Sequence, residues 1–372
     1  MPDYLWHDQP WLTRRAGQRP AEQPMNIYQI DPGSWRRDGG GGTLPFREMA
    51  RWLVPYAKEL GVTHVLLPAD RTEAPDGLLY LIDELHRAGV GALLDWPGGE
   101  DPAAVRFWLE DCHMDGLRLH GPDELLLHGA RLPWCGDWGA TACQYMALDP
   151  YFRRFRHREL TAPPLGGVLP LDREAVDGAL LARMHGDTAE RFSGARVLYT
   201  FLLTLPGKKA LWMGSEFGQC APWSPERSLD WHLLEREDAD SLPHRQLYAF
   251  FRAANAFYWN HPALWQRDAD PAGIQWLSRD DAANTAAFLR FDRAGRALLC
   301  VFNFSPQQTC CRFGVPRPGR YTVLFGTDPD TAYAVQSRPT PCGGFAHTLS
   351  LDLAPLSALI LKAPNQNKQV MK

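Results

Sequence analysis

The sequence lacks the features that would place the protein in a membrane, on nucleic acid or around a metal ion. None of its apolar runs approaches the roughly 20 residues of a membrane-spanning helix, and its N-terminal stretch lacks the apolar core of a secretory signal. Its 39 basic and 43 acidic residues give a net charge of −4, so no basic excess attracts nucleic acid or an anionic membrane. Its eight cysteines contain no Cys-x-x-Cys pair. We therefore expect a cytoplasmic protein with reduced cysteines, no metal, no cofactor, and neither a nucleic-acid nor a membrane partner.

Tryptophan, in contrast, is abundant, with 14 residues in a chain of 372. Any single tryptophan can be explained by packing in the hydrophobic core. Tryptophan and tyrosine are also the side chains that stack on sugars, because a pyranose presents an apolar C–H face and a polar rim to an amphipathic ring. The composition therefore slightly favours a carbohydrate ligand.

Strands and helices alternate through the first two thirds of the chain. "THVLLP" (63–68) and "VGALLDW" (90–96) read as buried strands, and "DGLLYLIDELHRAG" (76–89) between them reads as a helix that stops at glycine. This alternation predicts a parallel sheet in a (β/α)8 barrel of the TIM type. We expect the barrel to be incomplete, because residues 121–167 show one helix-like piece around 142–155 and no convincing parallel strand. "ARLPWCGDWG" (130–139) is the candidate for a substitute strand.

The pattern changes near Ala272 to short alternating strands such as "TAAFLRF" and "RYTVLFG". Such strands predict a separate antiparallel β-sandwich. The predicted organisation is an N-terminal arm (1–25), the barrel (26–271), the sandwich (272–363) and a polar tail (364–372).

Polar residues follow the strands at one end of the predicted barrel. "DGLRLHG" (115–121) places Arg118 and His120 on one face, since side chains two apart on a strand share a face. Asp95 and Trp96 end the preceding strand. Active sites of TIM-type barrels lie at the C-terminal ends of the strands, so these four residues are candidate site residues.

Several longer motifs resemble the glycogen (1,4-α-glucan) branching enzymes of the α-amylase superfamily. "PGKKALWMGSEFGQ" (206–219) followed by "RSLDWHLLE" (227–235) resembles the end of the catalytic barrel of that family, and "NIYQIDPGSWRR" (26–37) resembles its start. "VFNFSP" and "LAPLSALIL" fit its C-terminal domain. The resemblance covers most of the chain, although the N-terminal β-domain of the family is missing.

The resemblance implies a protein that acts on α-1,4-glucans such as glycogen and maltooligosaccharides. The family uses a retaining mechanism, which needs two carboxyl groups about 5 Å apart. In this chain Arg118 matches the family's arginine, His120 stands at the position of the nucleophilic aspartate, and no counterpart of the acid/base glutamate is found. Arg173 replaces a histidine of the family, and Glu174 stands where its transition-state-stabilising aspartate belongs. The substrate-binding candidates are Asp95, Trp96, Arg118 and Arg173.

Three functions fit these residues. The first is a branching-enzyme homologue with little or no catalytic activity, because loss of a nucleophile alone costs on the order of 10⁶ in rate. The second is an active, divergent glucanotransferase or hydrolase that recruits Asp123, Glu124 or Glu174. The third is a non-catalytic protein that binds glucan or a partner such as a full-length branching enzyme.

Each candidate also has a purely structural explanation. Arg118 can pair with a neighbouring carboxylate, His120 can fill space as a hydrogen-bonded side chain, and Glu174 can be a helix N-terminal acid favoured by the helix dipole. Glu216 falls where the family has a structural acid, and for Asp230 and Trp231 packing of their loop onto the barrel is favoured over sugar stacking.

Overall fold

The computed structural model of the chain describes residues 4–69, 75–135, 166–171, 179–184, 186–280, 282–328 and 333–364. These residues form two compact units. The first contains the described residues up to 135, with 166–171, 179–182 and 207–256, and the second contains the rest. The predicted domain boundaries at residues 25, 271 and 363 divide the chain differently and stay predictions.

An eight-stranded sheet forms the centre of the first unit. Its strands are β1 Asn26–Gln29, β2 His64–Pro68, β3 Gly91–Trp96, β4 Gly116–Leu119, β5 Glu124–Leu127, β6 Ala130–Pro133, β7 Val168–Pro170 and β8 Lys208–Trp212. They lie in the order β6-β5-β4-β3-β2-β1-β8-β7. The pairings of β8 with β1, β1 with β2, β2 with β3, β3 with β4 and β7 with β8 are all parallel. The first strand therefore lies between the second and the last, and this confirms the predicted barrel.

An antiparallel hairpin occupies part of the region, residues 121–167, in which the sequence predicted an incomplete barrel. β5 pairs antiparallel with both β4 and β6, so β6 runs in the direction of β4. Just after β6, Trp134 bridges Val168 of β7 in parallel, and the amide of Cys135 donates to the carbonyl of Val168 at 2.8 Å. This bridge joins the two ends of the sheet and covers its edges. The substitute strand expected in 130–139 is confirmed by β6, whereas β5 was not predicted. The helix-like piece around 142–155 lies outside the described residues.

Eight helices are described outside the short 3₁₀ and π turns. They are α1 Gln9–Ala16, α2 Pro32–Trp35, α3 Phe46–Leu60, α4 Asp76–Ala88, α5 Pro102–Arg106, α6 Thr188–Thr204, α7 His232–Glu235 and α8 Leu242–Asn260. α3 and α4 end at Gly61 and Gly89, whose φ angles of 76° and 86° lie in the left-handed region that glycine tolerates, and the end of α4 is the one that the sequence predicts. None of the described helices is long and apolar enough to span a lipid bilayer.

The interior of the first sheet is filled by alternate residues of its strands. The buried cluster includes Ile27 of β1, Leu66 of β2, Leu93 of β3, Val168 of β7 and Ala210 of β8. Since side chains two apart share a face, this cluster identifies which residues point inward at the end of each strand.

The described part of the second unit is an antiparallel β-structure that carries helix α6. Its strands are β9 Ile274–Asp280, β10 Thr285–Phe291, β11 Ala297–Asn303, β12 Thr309–Val315, β13 Arg320–Gly326, β14 Ala334–Gln336, β15 His347–Leu353 and β16 Ser357–Lys362. A six-stranded sheet, in the order β14-β13-β16-β11-β10-β9, and the β12–β15 pair enclose a core that contains Leu299, Phe313 and Leu349. The predicted antiparallel domain is confirmed, although β14 was not predicted.

Helix α6 belongs to this second unit. Its Phe201 makes edge-to-face contacts with Phe288, Phe302 and Phe304. A capping box of Asp187 and Glu190 starts the helix, since each side chain accepts a hydrogen bond from the other's backbone amide. The helix is therefore anchored by the strands of the second unit.

Candidate functional site

Three polar side chains gather where β3 and β4 end. Leu93 of β3 lies in the interior cluster, so Asp95 two residues later is on the same face. In the parallel register Asp95 lies beside Arg118 of β4, and His120 follows Arg118 by two residues. The sequence prediction that Asp95, Arg118 and His120 share one end of the barrel therefore agrees with their placement.

The carboxylate of Asp95 is held from both sides. Nη1 of Arg118 donates to Oδ2 at 3.2 Å, and Nε2 of His120 lies 2.5 Å from Oδ1. The side chains of Asp95 and Arg118 are 23% and 22% exposed, and that of His120 is 50% exposed. The guanidinium of Arg118 also lies over the ring of Trp134, 4.4 Å from its centroid. Both oxygens of Asp95 are thus engaged, and its charge is balanced by Arg118.

This arrangement limits the chemistry that the strand ends can perform. His120 has an oriented carboxylate partner and half of its surface is open, so it can exchange a proton with a bound molecule. It offers no anionic oxygen to form a glycosyl ester or to face an oxocarbenium-like centre. Arg118 can donate hydrogen bonds but cannot act as a nucleophile. The cluster can bind polar groups more readily than it can cleave a glycosidic bond.

The Glu124 carboxylate of the hairpin is also engaged. Arg131 of β6 forms ion pairs with Glu124, the first residue of β5, and with Glu100, the latter at 2.9 Å. Asp123 occupies a left-handed turn with a φ of 49°, and its carbonyl accepts the amide of Trp134 at 2.8 Å. Glu124, which was a candidate catalytic carboxylate, is therefore tied to a guanidinium within its own hairpin.

The structure revises the expectation for Trp96. Its side chain is on the opposite face of β3 from Asp95, only 8% of the residue is exposed, and its Nε1 donates to the carbonyl of Gly99 at 3.0 Å. The ring packs against Trp108. The backbone of Gly98 lies so close to the Trp96 ring that any side chain there would collide with it. A sugar has no open face of Trp96 on which to stack, because strand alternation sends this ring away from the interior.

Two aromatic residues that the sequence did not single out lie on the interior face instead. Trp134 follows β6 and lies beneath Arg118, and Trp212 ends β8 two residues after the interior Ala210. Trp134 could not be placed from sequence, because its register depends on the unpredicted strand β5. Trp212 could have been predicted from sequence, because the alternation of side chains that placed Arg118 also places Trp212 on the interior face.

Arg173 and Glu174 lie outside the described residues, so their expected roles stay predictions. Glu216 is described and is fully buried after β8. Its Oε1 accepts the hydroxyls of Tyr28 and Tyr56 at 2.7 and 2.5 Å, and burial raises the pKa of its carboxyl from 4.5 to about 7. Trp231 packs edge-to-face on Trp35 and Tyr56. Packing and hydrogen bonding within the first unit therefore account for both residues.

Comparison with solved structures defines the class of fold. A putative α-amylase from Salmonella typhimurium superposes with a TM-score of 0.66 over 97% of this chain and 85% of its own, at 16% identity. AmyP in complex with maltose gives a TM-score of 0.65 over 92% and 97%, at 12% identity. Residues 276–364 match the family described as "Alpha amylase, C-terminal all-beta domain". The chain has an α-amylase fold.

Comparison of sequences identifies the family more narrowly. The chain is 30% identical to the 1,4-alpha-glucan branching enzyme GlgB of Leifsonia xyli subsp. xyli, covering 96% of this chain and 67% of that protein. It is 29% identical to the GlgB of Rhodospirillum rubrum, covering 96% and 68%. The protein belongs to the 1,4-α-glucan branching enzyme family. The first alignment runs over 503 positions, more than the chain's 372 residues, so the relative has long segments with no counterpart here.

Proposed function

We propose that this chain binds α-1,4-glucan loosely at its strand ends and has little or no branching activity. The observation that carries the proposal is the cluster of Asp95, Arg118 and His120. A retaining mechanism needs one free carboxylate and one carboxylic acid about 5 Å apart. Among the described residues at this end of the barrel, Asp95 is bonded through both oxygens and Glu124 is paired with Arg131.

Family membership supports the class of ligand. The solved neighbour AmyP holds maltose, and the sequence relatives are named as enzymes of 1,4-α-glucan. Arg118 and His120 supply hydrogen-bond donors of the kind that sugar hydroxyls use. The contacts available at these strand ends are few, so we expect a dissociation constant of about 1 mM, equivalent to roughly 4 kcal/mol.

The activity test is the absorbance of iodine-stained amylose incubated with the purified chain. Branching shortens the linear segments and lowers the absorbance, whereas this chain should leave it unchanged while an active branching enzyme run in parallel lowers it. A time-dependent, enzyme-proportional fall in absorbance would refute the loss of activity.

Restoring an aspartate at position 120 provides a sharper test. We expect His120→Asp to remain inactive, because one added carboxylate gives no acid/base partner and because it would lie against Asp95, where the two negative charges repel. His120→Asn, which is of similar size but uncharged, is the matched control. Branching by His120→Asp alone would show that an acid/base carboxylate exists elsewhere in the chain.

The binding test is a calorimetric titration with maltoheptaose. Arg118→Ala should weaken the strand-end contribution, because it removes the donor and leaves Asp95 without its counter-charge. Arg106→Ala, which changes an arginine on α5 that is 75% exposed, is the control. Equal affinities for both variants and the wild type would exclude the strand ends as the binding site.

A further inference from the structure

Asp95 and Arg118 together determine which nitrogen of His120 carries a proton. A guanidinium can only donate hydrogen bonds, so Oδ2 of Asp95 accepts from Arg118. The other oxygen of this carboxylate, Oδ1, also accepts, and it lies 2.5 Å from Nε2 of His120. The hydrogen-bond network therefore assigns the proton of the neutral imidazole to Nε2. Nδ1 is left with a lone pair.

Nδ1 of His120 is open to a bound molecule. It has no hydrogen-bond partner among the described residues, and half of the side chain is exposed. His120 directly follows Leu119, the last residue of β4, so it lies at the strand ends where we place the glucan. When Nδ1 accepts a proton, the imidazolium remains against Asp95, which stabilises the positive charge, as the aspartate does in a serine hydrolase triad. An imidazole oriented in this way can act as a general base.

The chemistry that a base can perform on a glucan without a nucleophilic carboxylate is confined to the reducing end. A glycosidic linkage has no hydroxyl on C1, so a base finds no proton to remove there. The terminal unit is a hemiacetal, and its C1 hydroxyl does carry a proton. Loss of that proton opens the ring, because the electron pair on O1 forms a carbonyl group while the C1–O5 bond breaks. No covalent bond to the protein is needed.

We propose that the Asp95–His120 pair catalyses mutarotation, the interconversion of α and β anomers at the reducing end of an oligosaccharide. Nδ1 of His120 takes the O1 proton, the C1–O5 bond breaks, and its electron pair moves to O5, which takes a proton from water. The aldehyde then recloses on its other face by the reverse steps, in which the resulting hydroxide removes the O5 proton and His120 returns its proton to O1. Substrate and product are isomers, and only water takes part besides them.

The binding of a sugar at the strand ends rests on the proposed function, whereas the proton transfer goes beyond it. In this reaction His120 touches the reacting atoms and is a catalytic residue. Asp95 acts through His120 and is a positioning residue, because both of its oxygens are already engaged.

The test follows the optical rotation of freshly dissolved β-maltose in dilute buffer, with and without the purified chain. The relaxation rate should rise in proportion to the protein concentration, and the final rotation should not change. His120→Gln should lower the protein-dependent rate by about a hundredfold or more, the scale of general-base catalysis, because its amide can donate to Asp95 but has no basic nitrogen. The matched control is His232→Gln, which removes an exposed histidine of α7 and should leave the rate unchanged.

Asp95→Asn tests the assignment of the proton on His120. Because Arg118 can only donate, the amide oxygen should face Arg118 and the NH2 group should face Nε2. Nε2 then becomes an acceptor, and the proton moves to Nδ1. We expect kcat to fall about as far as in His120→Gln while KM for maltose stays the same, and long-range proton–nitrogen NMR should show the change of tautomer. A variant that changes tautomer but keeps the wild-type rate would exclude Nδ1 as the base.

The outcomes separate this proposal from the proposed function. Acceleration by the wild type that is lost in His120→Gln and kept in His232→Gln supports mutarotation. If calorimetry shows that maltoheptaose binds, but the wild type and His120→Gln give equal relaxation rates, the mutarotation proposal is wrong and the binding proposal stands. If maltoheptaose does not bind and the wild type does not accelerate relaxation, both proposals are wrong.

Discussion

Replacing Asp115 with asparagine should detach the N-terminal segment from the first unit. Asp115 precedes β4, at the opposite end of the strand from Arg118, and is 4% exposed. Its Oδ1 accepts Nε1 of Trp11 at 2.9 Å and Nη1 of Arg15 at 2.7 Å. Its Oδ2 accepts the amide of Ala92 at 2.7 Å and lies 3.0 Å from Nε2 of His86. Four donors thus converge on one buried carboxylate.

The histidine in this network is a buried cation between two acids. Nδ1 of His86 lies 2.7 Å from Oδ2 of Asp8, so each ring nitrogen faces a carboxylate oxygen. Burial alone would lower the pKa of His86, but Asp115 and Asp8 together raise it. Burial likewise opposes ionisation of Asp115, yet His86, His64 and Arg15 hold its pKa well below its usual range.

The expected cost of the substitution follows from these contacts. An asparagine has one acceptor oxygen, so its amide would face two of the four donors, and His86 would lose half of its counter-charge. Removing one partner of a buried ionic network costs about 3 to 5 kcal/mol. A local opening of 3 kcal/mol corresponds to more than about a hundredfold faster exchange of the protected amides.

Hydrogen–deuterium exchange of peptides from residues 4–16 measures this opening directly. The control is Glu110→Gln, which neutralises an acid whose ion pair with Arg106 is largely exposed and should not change exchange in α1. If Asp115→Asn changes exchange in α1 by less than threefold, the buried network is not what holds this segment.

The network also predicts a pH dependence of attachment. The raised pKa of His86 means that its contribution is present below the unfolded value of about 6.5 and is lost as the pH rises through the folded value. Asp8 and Asp115 have lowered pKa values, so their contributions are present above about 3.9 and are lost as the pH falls. The protection of the α1 amides, corrected for the intrinsic pH dependence of exchange, should therefore be greatest between about pH 4 and 6.5. A profile that is flat into the alkaline range would contradict a charged His86.

Three further substitutions test other parts of the fold. Arg290→Met should destabilise the second unit to urea by about 3 to 5 kcal/mol, because the buried Asp268, 2.9 Å away, loses its counter-charge; a loss under 1 kcal/mol would contradict this. The stability of the wild type should fall as the pH rises from 4.5 to about 7, because the raised pKa of Glu216 makes the folded state bind more protons than the unfolded state in that window. Glu216→Gln should remove this fall; equal pH profiles for the wild type and the variant would refute it. Asp187→Ala should lower the stability measured in a thermal melt by about 1 kcal/mol, because it removes the side-chain oxygen that caps α6. Asp187→Ser should retain the stability, because a serine hydroxyl can accept the same hydrogen bond; an equal loss in both variants would exclude capping.

Most of the fold could be predicted because its helices and strands are specified by local sequence signals. The end of α4 followed from Gly89, and the strands of the barrel and of most of the sandwich followed from their apolar runs. The hairpin of β5 and β6 could not be predicted in the same way. Its pairing depends on where residues 124–133 meet β4 and β7, and a short strand carries no signal that tells a parallel from an antiparallel neighbour.

The candidate site was predictable wherever alternation along a single strand determines the direction in which a side chain points. Arg118 and His120 share a face because they are two residues apart, and Asp95 joins them because β3 and β4 are parallel neighbours. The same alternation excludes Trp96 from this face, since it is one residue from Asp95 and so points outward. The predicted role of Trp96 relied on its type rather than on its place in the alternation.

The hairpin and the cluster of Asp95, Arg118 and His120 are physically connected. β6 brings Trp134 to β7, where it joins the ends of the sheet, and the same ring lies beneath the guanidinium of Arg118. Supported from below by Trp134, Arg118 reaches Asp95, and Arg131 of the same hairpin neutralises Glu124. The hairpin thus engages Glu124 directly, and it engages Asp95 through the Arg118 that Trp134 supports. A single substitution at His120 therefore leaves the cluster in place, because its geometry is set by the strand pairing of the hairpin and not by that histidine alone.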